Sequence, residues 1–309
     1  MADTPKTLHV SAGPHITGPV STRSIMGAVL VALLPTAIAS GFIFGWRAWA
    51  VIAVTTAACV LFEWLYCLLM KKPNTIGDVS AVVTGVILAF NLPSTIPFWI
   101  AVIGAFVAIV VTKQLFGGIG CNFANPALVG RIVLFIGFTG RMTAYGFPVD
   151  ATAGATPLVQ LHSSTGAAMF KDLFLGTTGG VLGETCALTL ILGGIFLVAI
   201  KVISPIIPLA YVGTVAVFSL VLGQDVLGQV FAGGLLLGAI FMATDYTTSP
   251  FTKIGKVIYG IFLGLITCLI RFYGSYAEGV SFALLLGNIL VPYINNLTRQ
   301  KPLGGAKAK

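Results

Sequence analysis

The residues able to do chemistry are few, and they lie in breaks between apolar runs. One break reads Asp150-Ala-Thr-Ala-Gly-Ala-Thr156-Pro157-Leu158. Thr156 follows Gly154 and Ala155, so nothing bulky shields its hydroxyl, and Pro157 biases it toward an extended shape. A hydroxyl on a narrow, extended strip suits an enzyme that must grip the strip and modify it. The same run also fits an ordinary turn. A second break reads Phe116-Gly-Gly-Ile-Gly-Cys121-Asn-Phe-Ala-Asn125-Pro-Ala-Leu-Val-Gly-Arg131. Its glycines interrupt the chain, and Asn122 and Asn125 can satisfy freed backbone groups or coordinate a ligand. A third is Phe241-Met-Ala-Thr-Asp245-Tyr-Thr-Thr-Ser-Pro250.

Four acids stand in or beside apolar runs: Glu63, Asp78, Asp225 and Asp245. Ionisable groups at membrane depth are costly and mark ion pathways, so these are candidate path residues. Asp78 and Asp225 each precede an apolar helix and fit a capping role equally well. The five cysteines are scattered without CxxC spacing, which supports neither a disulfide framework nor a zinc site. His9, His15 and His162 fall outside the apolar runs, so a haem held by two histidines between spans is excluded.

What must position these residues is a membrane. The chain has 309 residues, 57% apolar and only 8% charged, with a mean hydropathy of +1.01. A soluble domain carries roughly 25% charge. So few charges cannot cover a water-facing surface. That excludes an ordinary soluble enzyme, a disordered protein and a nucleic-acid-binding module. Apolar runs give about ten spans: Ser24–Phe44, Trp49–Met70, Val79–Phe90, Pro97–Thr112, Pro126–Gly140, Val181–Ile200, Ile206–Leu222, Val226–Ala243, Ile254–Phe272 and Val280–Leu297. The fold class is therefore an all-α, multi-pass membrane protein.

Basic residues orient the spans. With both termini cytoplasmic, twelve fall inside, including Lys113, and four outside: Arg47, Arg141, Lys171 and Arg271. That bias follows the positive-inside rule, so the +8 net charge is an orientation signal before it is a sign of an acidic partner. The first 23 residues are polar, and no cleavable leader is expected. The expected organisation is a cytoplasmic segment 1–23, a five-helix half 24–140, an outer loop 141–180, a second half 181–298 and a basic cytoplasmic tail 299–309. Five spans are an odd number, so a repeat would invert the second half, with broken third and eighth helices near a mid-membrane site. Gly233, Gly234 and Gly238, and Gly260 with Gly264, have spacing that suits either close packing or backbone opened toward a cofactor or ion.

Several motifs in order resemble one family. They are Gly13-Pro-His-Ile, Gly117-Gly-Ile-Gly through Arg131, Asp150 to Pro157, Met242-Ala-Thr-Asp245 with Ser249-Pro250, Ile270-Arg271, and Glu278-Gly-Val-Ser-Phe-Ala283. Nearly end to end, the chain is similar to the D subunits of the Rnf ion-translocating ferredoxin:NAD oxidoreductase complex. The B subunit of the sodium-pumping NADH:quinone reductase is a relative of that family and an alternative reading. A small-solute channel or transporter is a second alternative, but it has no use for Thr156 on an outer loop.

The resemblance implies FMN bound covalently to Thr156 through a phosphoester, with Asp150, Gly154, Ala155 and Pro157 as the recognised strip. Ala153 stands where the family usually has Ser or Thr. It implies a flavin transferase on the outer face, an FMN-carrying neighbour on that side, and NAD-reducing and iron–sulfur subunits. By analogy with the quinone-reductase relative, a second, non-covalent flavin such as riboflavin would lie between the halves. It also implies transport of Na⁺ or H⁺ across a prokaryotic inner membrane, with little activity expected from the subunit alone. A reduced, anionic flavin in a low-dielectric medium would favour cation uptake beside it.

Overall fold

A capping box starts the first helix. The Ser24 amide donates to Ser21 Oγ, and the Ser21 amide donates back to Ser24 Oγ. Helix α1 then runs Thr22–Phe44. Gly45, at φ 77°, turns the chain directly into α2, Trp46–Leu69. The computed structural model describes residues 20–146, 153–154, 173–174, 176, 179–184, 186–274 and 279–299. Next come α3 (Ser80–Phe90), α4 (Phe98–Gln114) and α5 (Pro126–Gly137). The later helices are α6 (Ala187–Ala199), α7 (Ile206–Val221), α8 (226–242), α9 (Lys253–Tyr273) and α10 (Val280–Leu297). Two short strands, β1 (Tyr145–Gly146) and β2 (Ala153–Gly154), pair antiparallel with Tyr145 opposite Gly154.

Among the described residues, α1, α2, α9 and α10 are long and apolar enough to cross a membrane. Large apolar side chains such as Leu209 and Leu220 stay exposed on the outer faces, which costs nothing against lipid. Helices α3 to α7 are apolar but shorter. At 1.5 Å per residue, α3 spans about 16 Å, roughly half the hydrocarbon thickness. Its far end is therefore inside the protein, and Phe90, Asn91 and Leu92 are all buried.

An interior helix end needs partners for its free carbonyls. The segment expected to begin the sixth span supplies them. Val181 pairs with Pro93, the Leu182 amide donates to Leu92 O at 3.0 Å, and the Gly183 amide to Phe90 O at 2.8 Å. This is why the helix begins at Ala187 and not at Val181. Asn91 Nδ2 donates to Ile87 O, and Arg131 Nη1 donates to Asn91 Oδ1 at 2.8 Å. Two further boundaries also move. The fifth helix stops at Gly137 before a separate turn at Thr139–Met142, and the fourth continues to Gln114.

Helix α8 is broken into Val226–Phe231, Leu235–Leu237 and Gly238–Met242. Gly233 and Gly234 lie at φ 76° and 64°, a left-handed pair that opens the backbone. Arg271 closes the opening: its guanidinium donates to Gln229 O at 2.6 Å, Ala232 O at 3.0 Å and Gly233 O at 3.1 Å. Arg271 and Lys113 are thus buried groups, although the orientation count assigns one to the outer and one to the inner side. Without these two, the expected count becomes eleven inner against three outer basic residues. Gly260 and Gly264 instead serve close packing, where an added Cβ would stand 2.6 Å from Ala210 and 2.5 Å from Thr214 of α7.

A Cβ on Gly183 would lie 2.4 Å from the Phe90 Cβ, so Gly183→Val should push 181–184 away from α3. The expected loss is about 1–3 kcal/mol, read as a lower melting temperature of the purified protein. Gly213→Ala in α7, where a Cβ meets nothing within 4 Å, should not lower it.

Candidate functional site

Two helices leave the α pattern at the same place. Over Val107–Gln114, α4 winds as a π-helix, with the Leu115 amide donating to Val110 O, five residues back. Over Gly238–Met242, α8 does the same, with the Ala243 amide donating to Gly238 O at 2.7 Å. Such turns are rare and frequent at functional sites. Both flank one cavity of about 380 Å³, a size typical of small-molecule sites.

The cavity lies between elements of the two halves. Ile25, Met26 and Val29 of α1, Val83 and Ile87 of α3, and Ile240 and Phe241 of α8 make an apolar body. Ser80, Thr84, Asn122, Asn125, Thr244 and Asp245 add polar groups, and Lys113 adds a cation. Asn125 is fixed as the N-cap of α5, its Oδ1 accepting from the Ala127 and Leu128 amides. Asn122 is held by its Nδ2 donating to Ala124 O at 2.9 Å. Thr84 and Thr244 donate to carbonyls four residues back, which leaves their oxygens able to accept.

Asp245 sits in the connection from α8 to α9. Burial pushes its carboxyl above the ordinary carboxylate range, against hydrogen bonds from Thr248, Thr247, Asn122 and Tyr246.

Beside the cavity is a buried ion pair. Lys113 Nζ stands 2.8 and 3.0 Å from the two Glu63 oxygens and 2.6 Å from Ser80 Oγ. Lys113 is 3% exposed and Glu63 0%. Thr75 Oγ1 donates to Glu63 Oε1 at 2.6 Å, and the Ser80 amide and hydroxyl both donate to Asp78 Oδ1. Glu63, Asp78 and Asp245 therefore gather at or next to one end of the cavity. Asp225 does not line it. It precedes α8, with no side-chain cap hydrogen bond, at the other end of that element from Asp245.

Of the expected flavin strip, Asp150, Ala155, Thr156 and Pro157 lie outside the described residues. Gly154 is in β2, against Tyr145. That ladder adjoins Ser94 and Thr95, where Arg47 Nε donates to Ser94 O and Thr95 Oγ1 to Ala144 O. It therefore stands beyond the Asn91 end of α3, whereas Ser80 and Lys113 meet at the start of α3. The sequence singled out Asn122, Asn125 and Asp245 as polar breaks, but it missed Lys113. The one available signal was a lone lysine directly after a long charge-free run.

Comparison with known proteins gives a family described as NQR2, RnfD, RnfE, whose model matches residues 9–304. The chain is 46% identical over 308 residues to the D subunit of the Na(+)-translocating ferredoxin:NAD(+) oxidoreductase complex of Acetobacterium woodii, covering 98% of this chain and 97% of that protein. It is 37% identical to the D subunit of the proton-translocating ferredoxin:NAD(+) oxidoreductase complex of Clostridium ljungdahlii, covering 96% of each. It is 36% identical to the D subunit of the ion-translocating oxidoreductase complex of Stutzerimonas stutzeri, covering 92% of each.

The raised Asp245 carboxyl has a definite pH signature. The folded state keeps that proton to higher pH than the unfolded chain does. Stability is therefore lost as pH climbs from the ordinary carboxylate range through the raised value. Asp245→Asn should flatten that decline and raise the melting temperature at neutral pH, by about 2 °C for about 1 kcal/mol. An unchanged pH profile would show that the carboxyl is solvated.

Proposed function

The chain belongs to the NQR2, RnfD and RnfE family, and from that premise we propose that it is the D-type membrane subunit of an ion-translocating ferredoxin:NAD oxidoreductase in a prokaryotic inner membrane. One observation carries the reading. The match to the Acetobacterium protein runs at 46% identity over 308 residues and covers 98% of this chain and 97% of that protein. In this reading the chain crosses the membrane ten times in two inverted halves, with both termini cytoplasmic. It works beside an FMN-carrying neighbour, NAD-reducing and iron–sulfur subunits, and a flavin transferase. The relatives' names divide between Na⁺ and H⁺, so either ion fits the reading.

Two flavin positions fit the chain. Thr156 would carry FMN through its hydroxyl, gripped within Asp150, Gly154, Ala155 and Pro157. In support, Gly154 is tied to Tyr145, which anchors the approach to that strip near the ends of α3 and α5. A second, non-covalent flavin such as riboflavin would take the cavity. Its apolar body suits a flat ring system, and Ser80, Thr84, Asn122, Asn125, Thr244 and Asp245 suit the ring's polar edge. Flavins supply one- and two-electron chemistry, while the protein supplies position and field. Here Asn122 and Asn125 are locked by backbone contacts and can orient a ring edge without reorganising. The apolar walls exclude water from its faces. Glu63, Asp78 and Asp245 would form the inner part of the ion path, with Asp225 nearer its other mouth.

The test is made on protein from cells that express the transferase. Wild type should give a flavin-fluorescent band on a denaturing gel, and Thr156→Val should lose it. A non-fluorescent wild-type band overturns the covalent assignment. Thr84→Trp should fill the cavity, keep the band and remove the flavin released on denaturation. In the intact complex, Asp225→Asn should reduce ion-coupled transport with flavin content unchanged. Unaltered transport would remove Asp225 from the path.

A further inference from the structure

Lys113 connects the cavity to an acid that does not line it. Its ammonium has three N–H donors, and the hydrogen bonds use all of them: two on Glu63 and one on Ser80. Both Lys113 and Ser80 face the cavity, while Glu63 stands behind them on α2. Among the described lining residues Lys113 is the one cation, with Asp245 also lining the space and Asp78 behind Ser80. Water does not screen the pair, since neither partner is exposed. A negative charge gained inside the cavity would therefore act directly on Lys113, in competition with Glu63.

We propose that Lys113 is shared between Glu63 and an anionic occupant of the cavity. Charging the occupant loosens the hold of Lys113 on Glu63 and frees that carboxylate to take up a cation at this end of the bundle. The π-turn makes this geometry available, because it is what carries a lysine from the end of α4 into the interior. Coupling of this kind is reciprocal: a cation on Glu63 releases Lys113 toward the cavity and favours the negatively charged occupant by the same factor. Lys113 is thus a positioning residue for charge. The inference rests on the cavity being the non-covalent flavin site.

The test reads the midpoint potential of the non-covalent flavin in the purified complex by spectroelectrochemistry. Lys113→Met should lower it, since the reduced, anionic form loses its cation. Glu63→Gln should raise it, since Lys113 is no longer held away. Each shift should correspond to about a tenfold change in relative affinity for the reduced form. Lys113→Arg should stay near wild type, and the covalent FMN should not move in any variant. If Lys113→Met does not fold, because Glu63 is left buried without its partner, the upward shift in Glu63→Gln decides the matter alone. Unchanged or same-sign shifts with flavin present overturn the link. Absence of released flavin from the wild-type complex overturns the cavity reading, and the link with it.

Discussion

Backbone that stops being helical inside a bilayer must find hydrogen-bond partners within the protein, and the rest of this structure is arranged around that requirement. Two interior openings have to be closed. At the end of α3 the partners are Asn91, itself held by Arg131, and the bridge and turn at 181–184. Within α8 the partner is Arg271. In transporters such openings commonly receive the ion. Here each already faces a guanidinium, whose fixed positive charge opposes a second cation at the same place.

Much of this was readable in the sequence because membrane helices announce themselves by composition. Proline and asparagine at 91–97 marked the end of α3, and Gly233-Gly234 marked the break in α8. The Asn122, Asn125 and Asp245 segments stood out as polar interruptions, and they meet at one cavity. Other features depend on the third dimension. Lys113 reads as a loop charge because it follows a long apolar run. Only the π-turn brings it inward to Glu63, fifty residues away in sequence. Val181 reads as the start of a helix, yet 181–184 form a bridge and a turn whose amides are taken by carbonyls of a distant element. Thr156 is singled out only through resemblance, since Gly-Ala-Thr-Pro fits many turns, and it lies outside the described residues.

The cavity joins two sorts of precision. Its apolar body comes from side chains of the packed helices α1, α3 and α8. Its polar end comes from short connecting segments, each fixed by contacts to backbone. Rigid walls and locked amides let a ligand's electronic state be felt as an electrostatic change and not absorbed by rearrangement.

The two π-turns also bind chain length to charge placement. Each behaves as one residue too many for its helix, accommodated without breaking it. If the stretch 107–114 relaxed to regular winding with no residue lost, the remainder of α4 would rotate by about 100°. Lys113 would then leave Glu63 for another face, although no side chain at either site had been altered. Deleting one residue there could instead be absorbed by loss of the π-turn, whereas the same deletion in a regular helix would turn everything beyond it to another face.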